Sequence, residues 1–102
     1  MALTTGAYAG TVQAPQASTD MAKNPYIMPI FNLKYGAKGI GVKWIQYALY
    51  KAGYGTGTLD DFVDGEFGSK TKAAVLKFQT IHGLEVDGVV GAETRKALKK
   101  VG

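Results

Sequence analysis

Three aspartates crowd one short stretch: Asp60, Asp61 and Asp64 in TLDDFVDGEFG. Neighbouring carboxylates can share acid–base work or hold a cation. The alternating ligand spacing of a calcium loop is absent here, and 102 residues leave no room for a glycosidase framework. The plainer reading, an acidic turn, is preferred. The one histidine, His82, falls where a helix should end, so it reads as a polar cap with no second catalytic group in register. The absence of cysteine excludes a thiol nucleophile, a disulfide and a cysteine metal site, and a single histidine excludes a multi-histidine one. The expectation is a chain with no catalytic residues, no metal and no cofactor.

Those carboxylates sit inside a phrase written twice. DGEFGSKTKAAV begins at Asp64 and DGVVGAETRKAL at Asp87. In each copy Asp-Gly makes a turn, because glycine tolerates positive φ and aspartate bonds nearby amides. A second glycine then leads into a helix, and a threonine (Thr71, Thr94) falls in its first turn, where the hydroxyl can bond back to the loop. The alanine three residues on is small so that two helices can approach. Phe67 and Val90 fill the same place under each turn. Two copies are too few for a solenoid, so they read as two like corners of one small domain.

Three helices must carry these corners. Val42, Ile45, Leu49 and Ala52 recur at helical spacing after Gly39, and Gly53 ends that helix. The Gly- and Asp-rich stretch Tyr54–Gly68 reads as loop. Ser69–Ile81 forms the second helix, with Thr71, Ala74, Val75 and Phe78 on one face, and Gly83 stops it. LEVDGVVG is a tight loop with room for a β-bridge. Ala92–Val101 forms the third helix, whose Arg95, Lys96, Lys99 and Lys100 suit a helix C-terminus. The expected core is Val42, Ile45, Leu49, Phe67, Val75, Phe78, Leu84, Val90 and Leu98. Trp44, Tyr47 and Tyr54 fall on the far side of the first helix, an aromatic face for stacking on sugar rings or for docking protein, with docking favoured.

The run from Leu33 to Leu98 resembles the peptidoglycan-binding domain of cell-wall hydrolases, a three-helix fold. The resemblance rests on Gly39-Ile-Gly-Val42-Lys-Trp-Ile45-Gln46-Tyr-Ala-Leu49, on the unbroken middle from Asp64 to Phe78-Gln79, and on Gly83-Leu84 through Asp87-Gly88 and Gly91 to Thr94. It implies an all-α domain over residues 33–102 and a wall-binding groove near the corners. Asp64, Thr71 and Gln79, with Tyr54, Asp61 and Phe62, are the ligand-binding candidates it suggests. It leaves unexplained the Gly-rich loop at Tyr54–Phe62 and the first 32 residues.

Residues 1–32 hold all three prolines and only Lys23 and Asp20 as charges, so they read as an extended arm. Tyr26, Ile30 and Phe31 on the arm, with Trp44 and Tyr47, are the partner-binding candidates. The stretch nearest the domain is expected to bury Tyr26, Ile27, Ile30 and Phe31 on the first helix, with a neighbouring subunit as the alternative, and residues 1–20 to be held, if at all, by a partner chain. The net charge of +4 lies in residues 33–102, which suits an anionic polymer.

No run is long and apolar enough to span a membrane, and MALTTGAYAG has no features of a secretory signal. With the resemblance, this points to a non-catalytic module that holds a larger assembly against peptidoglycan. A phage tail, a phage-like injection device or an endolysin fits, made in the bacterial cytoplasm and acting at the wall. The alternatives are a structural virion protein that keeps the fold without wall binding and, well behind it, nucleic-acid binding by the basic last helix.

Overall fold

The computed structural model describes residues 24–101. Over these residues the chain is all-α, as expected. It has four helices: α1 (Ile40–Lys51), α2 (Leu59–Phe62), α3 (Ser69–Ile81) and α4 (Ala92–Val101). The three long helices are those the periodicity predicts. The fourth lies inside the expected loop. Thr58 caps it by accepting from the Asp61 amide at 3.2 Å, and Asp60 and Asp61 occupy its first turn, where negative charge is favoured. Four residues between glycines are too few to leave a periodic signal.

Helices α1 and α3 end in the same way. The Gly53 amide bonds the Tyr50 carbonyl and the Tyr54 amide bonds that of Leu49; Gly83 and Leu84 repeat this on Thr80 and Gln79. Both glycines have positive φ, 96° and 69°, so the predicted stops lie where sequence placed them.

Helix α1 is the axis of the domain and packs against α2, α3 and α4. Its buried residues therefore run around much of its circumference: Val42, Trp44, Ile45, Gln46, Ala48 and Leu49. Trp44 was expected on an exposed far face and is instead only 3% exposed. The one-face reading fails because α1 has neighbours on several sides. Of the expected core, all but Leu84 are buried; Leu84 is half-buried at its edge, as is Ala52 of the α1 stripe.

The segment before α1 straps the two corners together. Leu33 and Val90 exchange both backbone hydrogen bonds, at 3.1 and 2.8 Å. Phe67 donates to the Ala37 carbonyl and accepts from Gly36, each at 2.9 Å. Phe67 and Val90, the like-placed residues of the repeat, are thus both anchored to residues 33–37. Residues 24–32, read as part of the arm, also lie on the domain. Asn24 donates to the Trp44 carbonyl at 3.2 Å, Tyr26 meets Tyr47 edge-on at 6.1 Å between ring centres, and Arg95 donates to the Phe31 carbonyl at 2.8 Å. Docking on α1 is therefore made by Asn24 and Tyr26. Ile27, Ile30 and Phe31 were expected to bury there and remain 75%, 77% and 70% exposed, because it is the Phe31 backbone, not its ring, that is held. The expectation for residues 1–20 lies outside the described residues.

Candidate functional site

Each Asp-Gly corner is built on a glutamine. Gln46, buried on α1, donates from Nε2 to Asp64 Oδ1, the Glu66 carbonyl and the Thr71 hydroxyl at 2.9–3.0 Å, while its Oε1 accepts from the Gly65 amide at 2.9 Å. Gln79, buried on α3, repeats every bond: Nε2 to Asp87 Oδ1, the Val89 carbonyl and the Thr94 hydroxyl, and Oε1 from Gly88. The glycines these amides grip have φ of 81° and 74°, as the turns require. Asp64 and Asp87 each accept from the amide two residues on, at 2.9 Å. The threonine hydroxyls were expected to bond the loop; they accept from glutamine instead, a partner contributed by the preceding long helix. A sequence signal for these glutamines exists. Gln46 lies four residues past Val42 and Gln79 four past Val75, so each is a polar residue on a core stripe.

A groove of about 260 Å³ opens beside the first corner, walled by Asp61 and Phe62 of α2, by Asp64 and Glu66, and by Ser69, Lys70 and Thr71 of α3. The amide of Glu66, opposed by burial but joined by Gln46 and the charge of Lys70, holds the Asp64 carboxyl below the usual carboxylate range. A second depression of about 390 Å³, lined by Lys38, Ile40 and Lys43, lies across the same corner and shares Asp64 and Glu66. Asp64 and Glu66 thus form a ridge between two hollows.

Four of the six ligand-binding candidates, Asp61, Phe62, Asp64 and Thr71, meet in the first groove. Tyr54 does not join them: it packs edge-on against Phe78 at 5.2 Å, and its hydroxyl lies 3.3 Å from His82 Nε2. Gln79 does not either, because it is fully buried and its amide is spent on the second corner. Glu66, Ser69 and Lys70 were not singled out from sequence and join the groove because α3 begins there. Among the described residues no group of three or more His, Cys, Asp or Glu is placed to hold a metal, and no helix is long and apolar enough to cross a membrane.

A small helical domain with paired Asp-Gly corners is the architecture of the peptidoglycan binding domain. A family model of that description matches residues 38–98, and the chain belongs to this family. It is 38% identical over 87 residues to the N-acetylmuramoyl-L-alanine amidase CwlL of Bacillus licheniformis, a match covering 80% of this chain but 24% of that protein. The crystal structure of the SleB N-terminal domain is similar at a TM-score of 0.66 and 38% identity, covering 72% of this chain and 96% of that one. The Burkholderia AP3 phage endolysin is similar at a TM-score of 0.59 and 35% identity, covering 67% of this chain and 24% of that one. The chain spans less than half the length of the curated relatives it matches.

Proposed function

We propose that this chain is a non-catalytic module that binds peptidoglycan at the Asp64 corner and brings a larger assembly to the cell wall. The observation that carries the reading is the first groove, where Asp61, Phe62, Asp64 and Thr71 converge with Glu66, Ser69 and Lys70. Both hydrogen bonds to Asp64 fall on Oδ1, so Oδ2 is the oxygen left for a ligand. Carboxylate acceptors beside an ammonium suit the amides, acetamido groups and carboxylates of a glycan–peptide polymer. Affinity at so small and open a groove is modest, and tethering to an assembly raises the effective concentration.

The assembly is a phage tail, a phage-like injection device or an endolysin. The likeness to the AP3 phage endolysin supports this. So does the strip Ile27, Ile30 and Phe31, which presents large apolar side chains next to the rest of the arm. Residues 1–32 are the assembly handle in this reading. That strip also favours a second reading, a structural assembly protein that keeps the fold without binding the wall.

Cosedimentation with purified sacculi separates the two. The full chain, a chain begun at Asn24 and a Lys70→Glu variant are compared, each checked for folding by circular dichroism. Wall binding predicts retention by the first two and loss by the third. A folded full chain that stays in the supernatant overturns it and leaves the structural reading.

A further inference from the structure

The groove at the first corner has a twin. A second groove, of about 460 Å³, is walled by Asn32 of the strap, by Gly83, Leu84 and Glu85 after α3, and by the second corner and the start of α4. Six residues line the first groove from its corner onwards: Asp64, Glu66, Gly68, Ser69, Lys70 and Thr71. Each has its counterpart 23 positions on, 87 − 64, in the lining of the second: Asp87, Val89, Gly91, Ala92, Glu93 and Thr94. The two hollows therefore stand on the same backbone frame and the same glutamine hub. They differ in what closes them, α2 at the first and Asn32 with residues 83–85 at the second.

We propose that the second groove is a second peptidoglycan subsite, which receives an amine-bearing part of the stem peptide while the first groove holds a neighbouring unit of the same polymer. The proposal rests on the reading of the first groove as a wall-binding site. A repeating polymer presents its units at intervals, and a repeated frame can hold parts of two of them at once, which multiplies weak contacts. The chemistry of the second groove follows from its substitutions. Lys70 becomes Glu93, so the ammonium of the first groove is replaced by a carboxylate. Glu66 becomes Val89 and Ser69 becomes Ala92, which with Leu84 give an apolar wall. Among the described residues the charged ones lining it are Glu85, Asp87 and Glu93, with no basic side chain. Asp87 Oδ1 is used by Val89 and Gln79, which leaves Oδ2 for a ligand. Gly91 lets Asn32 close in on this side of the groove: a Cβ there would lie 3.2 Å from Asn32 Oδ1. An ammonium flanked by a short apolar side chain fits such a lining, and an uncrosslinked stem peptide carries one on its diamino acid.

The test is an amide chemical-shift titration of the full chain with a soluble disaccharide–peptide carrying a free diamino-acid amine, and with the same fragment N-acetylated at that amine. The expected result is that amides of residues 66–71 and of residues 89–94 both move. Acetylation weakens the second set by about tenfold, the scale of one charge-assisted hydrogen bond, and leaves the first set unchanged. A Glu85→Gln/Glu93→Gln variant, whose spectrum reports its own folding, loses the second set alone. Movement confined to residues 66–71, or a second set indifferent to acetylation, overturns the second subsite and leaves wall binding intact. No movement in either set overturns it too, and sacculus cosedimentation then decides separately whether wall binding falls with it.

Discussion

Gln46 on α1 donates to the Thr71 hydroxyl on α3 at 3.0 Å, a buried bond between residues 25 positions apart. It ties the central helix to the start of the helix that walls the candidate groove. The same amide grips Gly65, Asp64 and Glu66, so one side chain sets both the turn and the helix that leaves it. Gln79 and Thr94 repeat the relation at 3.1 Å.

Loss of this hub should be costly. Gln46→Ala strands the Gly65 amide and the Thr71 hydroxyl, at about 1–3 kcal/mol for each group left buried without a partner, while the Glu66 carbonyl keeps the Gly68 amide. Thr71→Val removes one acceptor and should cost about 1 kcal/mol. A double-mutant cycle by urea unfolding should give Gln46 and Thr71 a coupling of about 0.5–3 kcal/mol. The pair Gln46 and Gln79, which share no hydrogen-bond partner, should be close to additive. Additivity for Gln46 and Thr71 would remove the hub.

The core prediction concerns Phe78, which is fully buried and whose ring lies 5.2 Å from that of Tyr54 and 4.2 Å from that of His82. Phe78→Ala should cost roughly 3–5 kcal/mol in urea unfolding, a large part of the stability of so small a domain. A loss under about 1 kcal/mol would mean the ring is not the centre of this packing.

Acid should act through Asp64. Its folded pKa lies below the ordinary value of 3.8, so the unfolded chain binds the proton more tightly. The stabilisation is complete above 3.8 and is lost as pH falls through the lowered folded value. Asp64→Asn should therefore destabilise the domain at neutral pH, with the gap to wild type closing below pH 3.8. Denaturant unfolding at a series of pH values measures this, and a gap that stays constant into acid contradicts it.

The non-catalytic reading is tested by turbidity. Asp60 and Asp61 are surface residues in the first turn of α2, and Asp64 Oδ1 is committed to the corner. Suspensions of bacterial cell walls should not clear in the presence of the purified protein. Clearing that follows the protein through purification and vanishes in Asp61→Asn would show catalysis.

The local grammar of the chain was legible without a structure. The ends of α1 and α3, the two Asp-Gly turns, the starts of α3 and α4 and nearly all of the core could be read. Each depends on a few consecutive residues: a glycine that alone tolerates positive φ, or apolar side chains at helical spacing. What lay far apart along the chain could not be read in that way. Helix α1 has neighbours on several sides, so Trp44 is buried although one helical face predicts it exposed. Gln46 looked like a motif residue without a task until Asp64, Gly65, Glu66 and Thr71 closed around it from 18 to 25 positions away. Asp61, Phe62, Asp64 and Thr71 were legible as candidates, but that they share a groove with Lys70, while Tyr54 and Gln79 do not, was decided by packing. Periodicity reports which face of an element is apolar. It does not report how many neighbours the element will have, nor which distant backbone a buried amide will hold, and those two facts belong to the tertiary structure.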